Sequence, residues 1–438
     1  MLKSEEELFL RRTKKSKNFN QKARDIIPGT TSHAGSRYYK PYLISTDRGK
    51  GSHIWDVDGN EYVDYWIGHG VNFLGHAHPK IVSAVEGQIE KGSQLGTSTP
   101  LELELAKQII KMVPSVEMVR FCNSGTEANF SAGRLARTIS RKKKIAKFEG
   151  HYHGWFDYVS IGGRPPFNVP SSGGIPEESI ENTVLLPYND LEGTVKVIKE
   201  QEKELACVYV EPSPHFSIPP VKGFLEGLRE ITEDKGILLI FDEVVTGFRF
   251  APGGASEYFG VIPDIECYGK IVGGGLPVGA VAGKKDIMAF FNDPTITRPR
   301  NETAYHGGTF SGNPLVMAAG LASLKELEDG SLNNCANRFG DNLRQGLEEI
   351  FSKNKIEVSV MGICSLTQTY FVKGRPKDIV SSGFGTEAAQ KLLDFKIGLI
   401  NRGIYCYPPS GLYNSAVHTK DDLNETLEAA EKVARLLR

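Results

Sequence analysis

Two residues in the stretch KGILLIFDEVVTGFRFAPGGASEYFGVIPDIECYGK, Lys235 to Lys270, have the types and placement for chemistry. Asp242 follows an unbroken apolar run, Ile237 to Phe241, and Lys270 follows a second strand-like run. Five consecutive apolar residues read as a strand buried on both faces of a parallel sheet, and such sheets form sites beyond the carboxyl ends of their strands. A carboxylate there can face a pyridine nitrogen and keep it protonated, which turns the ring into an electron sink. A lysine between Tyr268-Gly269 and Gly273-Gly274-Gly275 can be desolvated enough to offer a neutral amine for imine formation. A helix cap at Asp242 and a solvated lysine at 270 fit the same residues.

Two further pieces extend this chemistry. In NSGTEA, 123–128, small residues stand at a strand-to-helix turn. Free N–H groups there, beside the hydroxyls of Ser124 and Thr126 and the open backbone of Gly125, make a phosphate cradle. The same residues would also make a plain N-cap with Glu127 in the first turn. In FEGHYHGWFDY the ring of Tyr152 can stack on a planar cofactor. His151 and His153, like His76 and His78, form HxH pairs with no Cys or acid at ligand spacing, so no metal site is expected. The segment GGGLPVGAVAGKK lacks the spacing of a nucleotide-binding loop. Acid, lysine, cradle and ring together point to pyridoxal 5'-phosphate.

The elements that must hold these residues follow from periodicity. Ala128, Ala132, Leu135, Ala136 and Ile139 form one helical face, and strands alternate with helices from there to Asp242. That alternation predicts an α/β fold with a mostly parallel sheet flanked by helices. Before it stand a helix expected over Glu5 to Asp25, a Gly/Ser/Tyr/Pro loop, and a hairpin in HIWDVDGNEYVDYW; GGGLPVGAVAGKKDIM reads as another hairpin. The expected division is an N-terminal segment, 1–70, a large domain, 71–325, and a small α/β domain, 326–438.

With 52 basic and 53 acidic residues, no overall field draws the chain to nucleic acid or anionic membrane, and a small-molecule partner is expected. The six cysteines are dispersed and read as reduced thiols, the N-terminus lacks the apolar core of a secretory signal, and no apolar run is long enough for a membrane span. A cytoplasmic location is the expectation.

NSGTEA, GHYHG, VEP at 210–212, FDEVVTGFR, YGKIVGGGLPVGA and GGTFSGNPL occur in the order of, and at about the spacing found in, the class III pyridoxal phosphate aminotransferases. The chain resembles the glutamate-1-semialdehyde aminomutase branch, and IWDVDGNEYVDYW, GHAHP, FLEGLRE and YNDLE carry the resemblance over most of its length. The resemblance implies fold type I, with the small domain drawn from both termini. It also implies that Gly125 and Thr126 bind the phosphate, Tyr152 and Val244 take opposite faces of the ring, and Asp242 pairs with its nitrogen. Lys270 would bind the cofactor covalently and carry the proton, with Glu211 close by. Thr309 would reach the phosphate of a neighbouring subunit, which makes a homodimer part of the expectation. Arg37 approximates the position that holds a substrate carboxylate, although a solvated loop arginine fits it as well.

The departures touch substrate contacts. The mutase branch carries a longer, acid-bearing C-terminal stretch where this chain has CYPPSGLYNSAVHT, the loop after VEP reads SPHFSIPP, and the lid-like loop carries Arg164-Pro165-Pro166-Phe167. These changes favour an aminotransferase working between an amino acid and a keto acid or aldehyde by a ping-pong cycle. The aminomutase is the alternative, and a non-catalytic binding protein on this fold is a third reading.

Overall fold

A run of five apolar residues has no polar face to turn to water, and Leu239 to Phe241 are accordingly fully buried, with helices packed on the sheet that contains them. The computed structural model describes residues 3–33, 40–292, 298–406 and 411–437. Arg37 lies outside them, as does part of the C-terminal stretch singled out above.

Three sheets organise the chain. β1 (Thr46–Lys50), β2 (His53–Asp56) and β3 (Glu61–Asp64) form an antiparallel meander, with β2 and β3 making the hairpin expected at the Asp-Gly turn. The seven strands of the central sheet are β4 (Met118–Cys122), β5 (Lys144–Phe148), β6 (Thr183–Leu186), β7 (Leu205–Val210), β8 (Leu238–Asp242), β9 (Ile265–Gly269) and β10 (Gly279–Gly283). Their order is β4-β10-β9-β8-β7-β5-β6. All pairings are parallel except those of β10, which runs antiparallel to both β9 and β4. The third sheet is β11 (Ser359–Ile363), β12 (Leu366–Tyr370) and β14 (Leu412–Tyr413), while β13 (Ile404–Tyr405) joins the first sheet parallel to β3. Through β13 the two ends of the chain share one sheet, as the small domain of fold type I requires.

Two expectations are corrected. GGGLPVGAVAGKKDIM is not a hairpin: it supplies the single strand β10 and a short helix, Lys285–Met288. A side chain at Gly279 would overlap the Ser124 carbonyl, so the small-residue run serves close passage past the 123–126 turn. The N-terminal helix is two, Lys3–Arg12 and Lys14–Arg24, because Thr13 leaves helical geometry while Asp58 accepts the N–H groups of Lys15 and Ser16.

Candidate active site

The helix Gly125–Ser140 buries Ala128, Ala132, Leu135 and Ala136 against β7, β9 and β10, which fixes its first turn at the rim of the sheet. Ser124 caps it by accepting the Glu127 N–H at 3.1 Å. The plain cap is therefore present, and the first-turn N–H groups beyond it have no helical acceptor, as a phosphate cradle would need.

Glycines bring distant motifs onto this turn. A Cβ on Gly125 would lie 2.9 Å from Val244, one on Gly154 would lie 2.6 Å from the Thr126 hydroxyl, and one on Gly308 would lie 3.1 Å from the Asn123 amide. The cradle, the GHYHG loop, the strand end at Asp242 and the GGTFSGNP segment thus meet at one place. Val244 stands between Gly125 and Gly269, the residue before Lys270.

Asp242 ends β8, buried, and three donors serve its carboxylate. Asn129 Nδ2 and His153 Nδ1 each donate to Oδ2 at 2.8 Å, and the Val244 N–H donates to Oδ1 at 3.1 Å. A buried carboxylate needs such donors, and a helix-capping role is not what they describe. Lys270 begins the turn Lys270–Gly273 with φ +50°, in the left-handed region, and is half-buried. Burial lowers its amine below the ordinary lysine range, against the opposing pull of Asp242 and Glu211 and with help from Arg249.

Tyr152 exposes its ring (57%) while its N–H donates to Glu211 Oε1 at 2.6 Å. Glu211 also accepts the His215 N–H at 2.9 Å and lies 3.2 Å from His215 Nδ1. Burial disfavours the Glu211 anion, but the charge and hydrogen bond of His215, with His151 and His153 further off, hold its carboxyl well below the usual range. Thr309 is exposed, and its carbonyl accepts from Gln94.

Asn129 and His215 escaped the sequence reading, and His153 entered it only as a metal candidate. A signal existed for Asn129, a polar residue directly after Ala128 on a helix whose inward face is alanine, since buried amides require partners. The WIGHG turn was missed too. Ile67, Gly68, His69 and Gly70 all have positive φ, +40°, +64°, +64° and +80°. Such strain in a β-branched residue marks a segment held in place by its surroundings. The turn sets the His69 ring 4.0 Å from those of Trp66 and His33, and burial, His33 and Lys270 together push its imidazole far down.

Among the described residues one trio, Cys122, Glu127 and His306, has potential metal-ligand atoms within 4.8 Å of one another. His306 Nδ1 already accepts from the Arg120 guanidinium at 3.2 Å, and Glu127 accepts the Asn123 N–H at 2.8 Å. A cation held on the imidazole nitrogen opposes a metal there.

A desolvated lysine, an acid gripped by three donors, and a glycine-lined helix N-terminus beside an exposed tyrosine suit a phosphorylated pyridine aldehyde. Residues 34–384 match the class-III aminotransferases, and the chain belongs to that family of pyridoxal phosphate enzymes. It is 42% identical to the glutamate-1-semialdehyde 2,1-aminomutase of Methanocaldococcus jannaschii, over 97% of this chain and 99% of the relative. Among solved structures, it superposes on an omega-transaminase from Sphaerobacter thermophilus with TM-score 0.90 and 35% identity, covering 96% of this chain and 98% of that one. A transaminase with PLP bound superposes with TM-score 0.88 at 31% identity, covering 97% and 98%. The curated relatives' names favour the aminomutase over the intermolecular enzyme that the sequence departures had favoured.

Proposed function

We propose that the enzyme moves an amino group between adjacent carbons of glutamate-1-semialdehyde, the aminomutase reading. The near full-length 42% identity to the Methanocaldococcus jannaschii mutase is the observation that carries it. When bound, pyridoxal phosphate supplies a protonated ring that acidifies the C–H beside the substrate nitrogen. The Asp242 carboxylate, oriented by Asn129 and His153, holds the charge that keeps the ring nitrogen protonated. Gly125 and Thr126 bind the phosphate through the helix N-terminus, with Ser124 shaping the turn. Tyr152 and Val244 hold the ring between them, and Glu211 fixes the Tyr152 backbone. Lys270, its amine easier to deprotonate because of burial, would take the proton from the amine-bearing substrate carbon and pass it to C4′ of the cofactor, and the reverse transfer would place a proton on the neighbouring carbon. Arg37 receives the substrate carboxylate. In the homodimer, Thr309 of one protomer completes the phosphate site of its partner. The enzyme acts in the cytoplasm, in keeping with its unpaired cysteines.

A second reading, intermolecular amino transfer, is favoured by the loop after Glu211, whose sequence SPHFSIPP departs from the mutase branch. Purified holoenzyme given glutamate semialdehyde alone, with no other amine or carbonyl compound, separates the two. Conversion is expected, and its absence alongside reaction with external amines would overturn the mutase reading. Borohydride reduction followed by peptide mapping should find the cofactor on Lys270; a label elsewhere would overturn the site.

A further inference from the structure

Arg249 is fully buried, and every group that accepts a hydrogen bond from it is neutral. Its Nε donates to the Val245 carbonyl at 3.1 Å, its Nη1 to Ser365 Oγ at 3.2 Å and to the Asn414 carbonyl at 3.4 Å, and its Nη2 to the Gly70 carbonyl. The guanidinium carbon lies 4.8 Å from the centre of the Phe73 ring. Among the described residues no carboxylate pairs with it. A buried cation without a counter-charge costs stability, which carbonyls offset in part. Burial draws the guanidinium down to about 10, so it stays charged at neutral pH. Neutral donors would serve the same acceptors at lower cost, which leaves the charge itself as the feature to account for.

The contacts of Arg249 join the two residues that define the chemistry. On one side it belongs to the segment that leaves Asp242, where Phe248, fully buried at φ +59°, packs its ring 5.0 Å from that of Tyr268, two residues before Lys270. On the other side it holds Gly70, the end of the strained turn Ile67–Gly70, and that turn packs on Lys270–Gly273. The exit of the strained turn touches the same segment, since a Cβ on Gly275 would lie 3.2 Å from Asn72 Oδ1. Around the Lys270 amine, burial favours the neutral form, the carboxylates of Asp242 and Glu211 favour the charged one, and Arg249 opposes them. His69, on the strained turn, is held neutral by burial, His33 and Lys270.

We propose that Arg249 is a positioning residue for the reaction, clamping the strained turn against the turn that begins at Lys270 and setting an unpaired positive charge against Asp242 and Glu211, so that the Lys270 amine can work as a base. The inference rests on the proposed role of Lys270 and holds for either substrate.

The test compares holoenzyme of wild type, Arg249→Gln and Arg249→Lys. Glutamine removes the charge and keeps an amide donor, whereas lysine keeps the charge on a single ammonium. Two readouts besides turnover are followed: the pH midpoint of the absorbance change of the cofactor bound to Lys270, and hydrogen exchange at the amides of Gly70 and Asn72, which donate to the Trp66 and Ile67 carbonyls at 2.9 Å. Removing a positive charge favours the protonated form, so in Arg249→Gln the midpoint should rise by at least about half a pH unit, roughly a threefold gain in proton affinity. Exchange at the two amides should quicken about tenfold in the same variant. Arg249→Lys should keep the midpoint within about twofold of wild type in proton affinity, with exchange between the other two. An unmoved midpoint in Arg249→Gln overturns the proposal, and a lowered melting temperature beside it assigns Arg249 to the fold alone. Should the glutamine variant fail to fold, the lysine variant decides: a midpoint raised although the charge is kept overturns the proposal, and one that stays supports it. Borohydride mapping of the cofactor to Lys270 in wild type, together with an unmoved midpoint, would sink this inference while leaving the site assignment standing.

Discussion

Replacing His153 by Phe tests how the acid at the heart of the site is held. His153 is buried and its Nδ1 donates to Asp242 Oδ2 at 2.8 Å, while its ring packs 5.2 Å from that of Tyr209. Phenylalanine keeps the ring and its packing and removes the donor. A hydrogen bond to a charged group contributes about 1.5–3 kcal/mol. If that hold is felt in the transition state, where the ring charge matters most, turnover falls about 10- to 150-fold, at about 1.4 kcal/mol per factor of ten. KM should change little, because His153 acts through Asp242. The assay compares kcat, KM and the pH profile of wild type, His153→Phe and His153→Gln, the glutamine being able to donate from its amide and so to recover part of the rate. A phenylalanine variant within threefold of wild-type kcat, with the same pH profile, would refute the positioning role. Equal loss of melting temperature and activity in both variants would assign His153 to the fold alone.

The remaining predictions concern the cradle and the buried acids. Gly154→Ala places a Cβ 2.6 Å from the Thr126 hydroxyl at φ +105°, adding backbone strain of about 1–3 kcal/mol and overpacking of similar size. Cofactor affinity measured by dialysis should fall at least tenfold, and unchanged affinity would detach Gly154 from the cradle. Glu266 is buried, accepts from Ser115 at 2.8 Å, and has its carboxyl raised to about 8 by burial and by Glu243 beside it. The folded state therefore binds the extra proton between the unfolded value near 4.5 and about 8, so this stabilisation is complete at low pH and is lost as pH rises through that window. Melting temperature should fall from pH 5 to pH 8.5, and Glu266→Gln, shaped like the neutral acid, should flatten the slope; an unaltered slope would place the titration elsewhere.

The central sheet was legible because its signals are local: the run before Asp242 and the alanine face after Gly125 each carry their period in a dozen residues. Asp242, Lys270 and the cradle were legible in type but not in partnership. That Asn129 and His153 grip one carboxylate oxygen follows from a helix and a loop crossing the end of β8, and spacing along the chain does not encode that crossing. The break at Thr13 has the same origin, since Asp58 captures the N–H groups that would have continued the helix. β10 misread as a hairpin because glycine-rich alternation looks like a turn. The glycines are needed for passage beside Ser124.

The same geometry separates what relatives can tell about this enzyme from what they cannot. The residues proposed to hold the cofactor sit on strand ends and a helix start, fixed by the sheet, and small shifts there would break hydrogen bonds to a buried charge. The loops that depart from the mutase branch, the one carrying Arg164 and the one after Glu211, lie outside the sheet, as does the strained WIGHG turn. Arg249, fully buried, donates to the Gly70 carbonyl, to Ser365 Oγ at 3.2 Å and to the Asn414 carbonyl at 3.4 Å, fastening the strained turn to the small domain. The Tyr413 hydroxyl donates to the His215 carbonyl and that of Tyr370 to the Phe216 carbonyl, so the small domain also sets the loop after Glu211. Substitutions in the small domain can therefore shift the WIGHG turn and the loop after Glu211 while Asp242 and Lys270 stay in place. Class and cofactor carry over from relatives at 42% identity, whereas the substrate must be read from this chain's own loops.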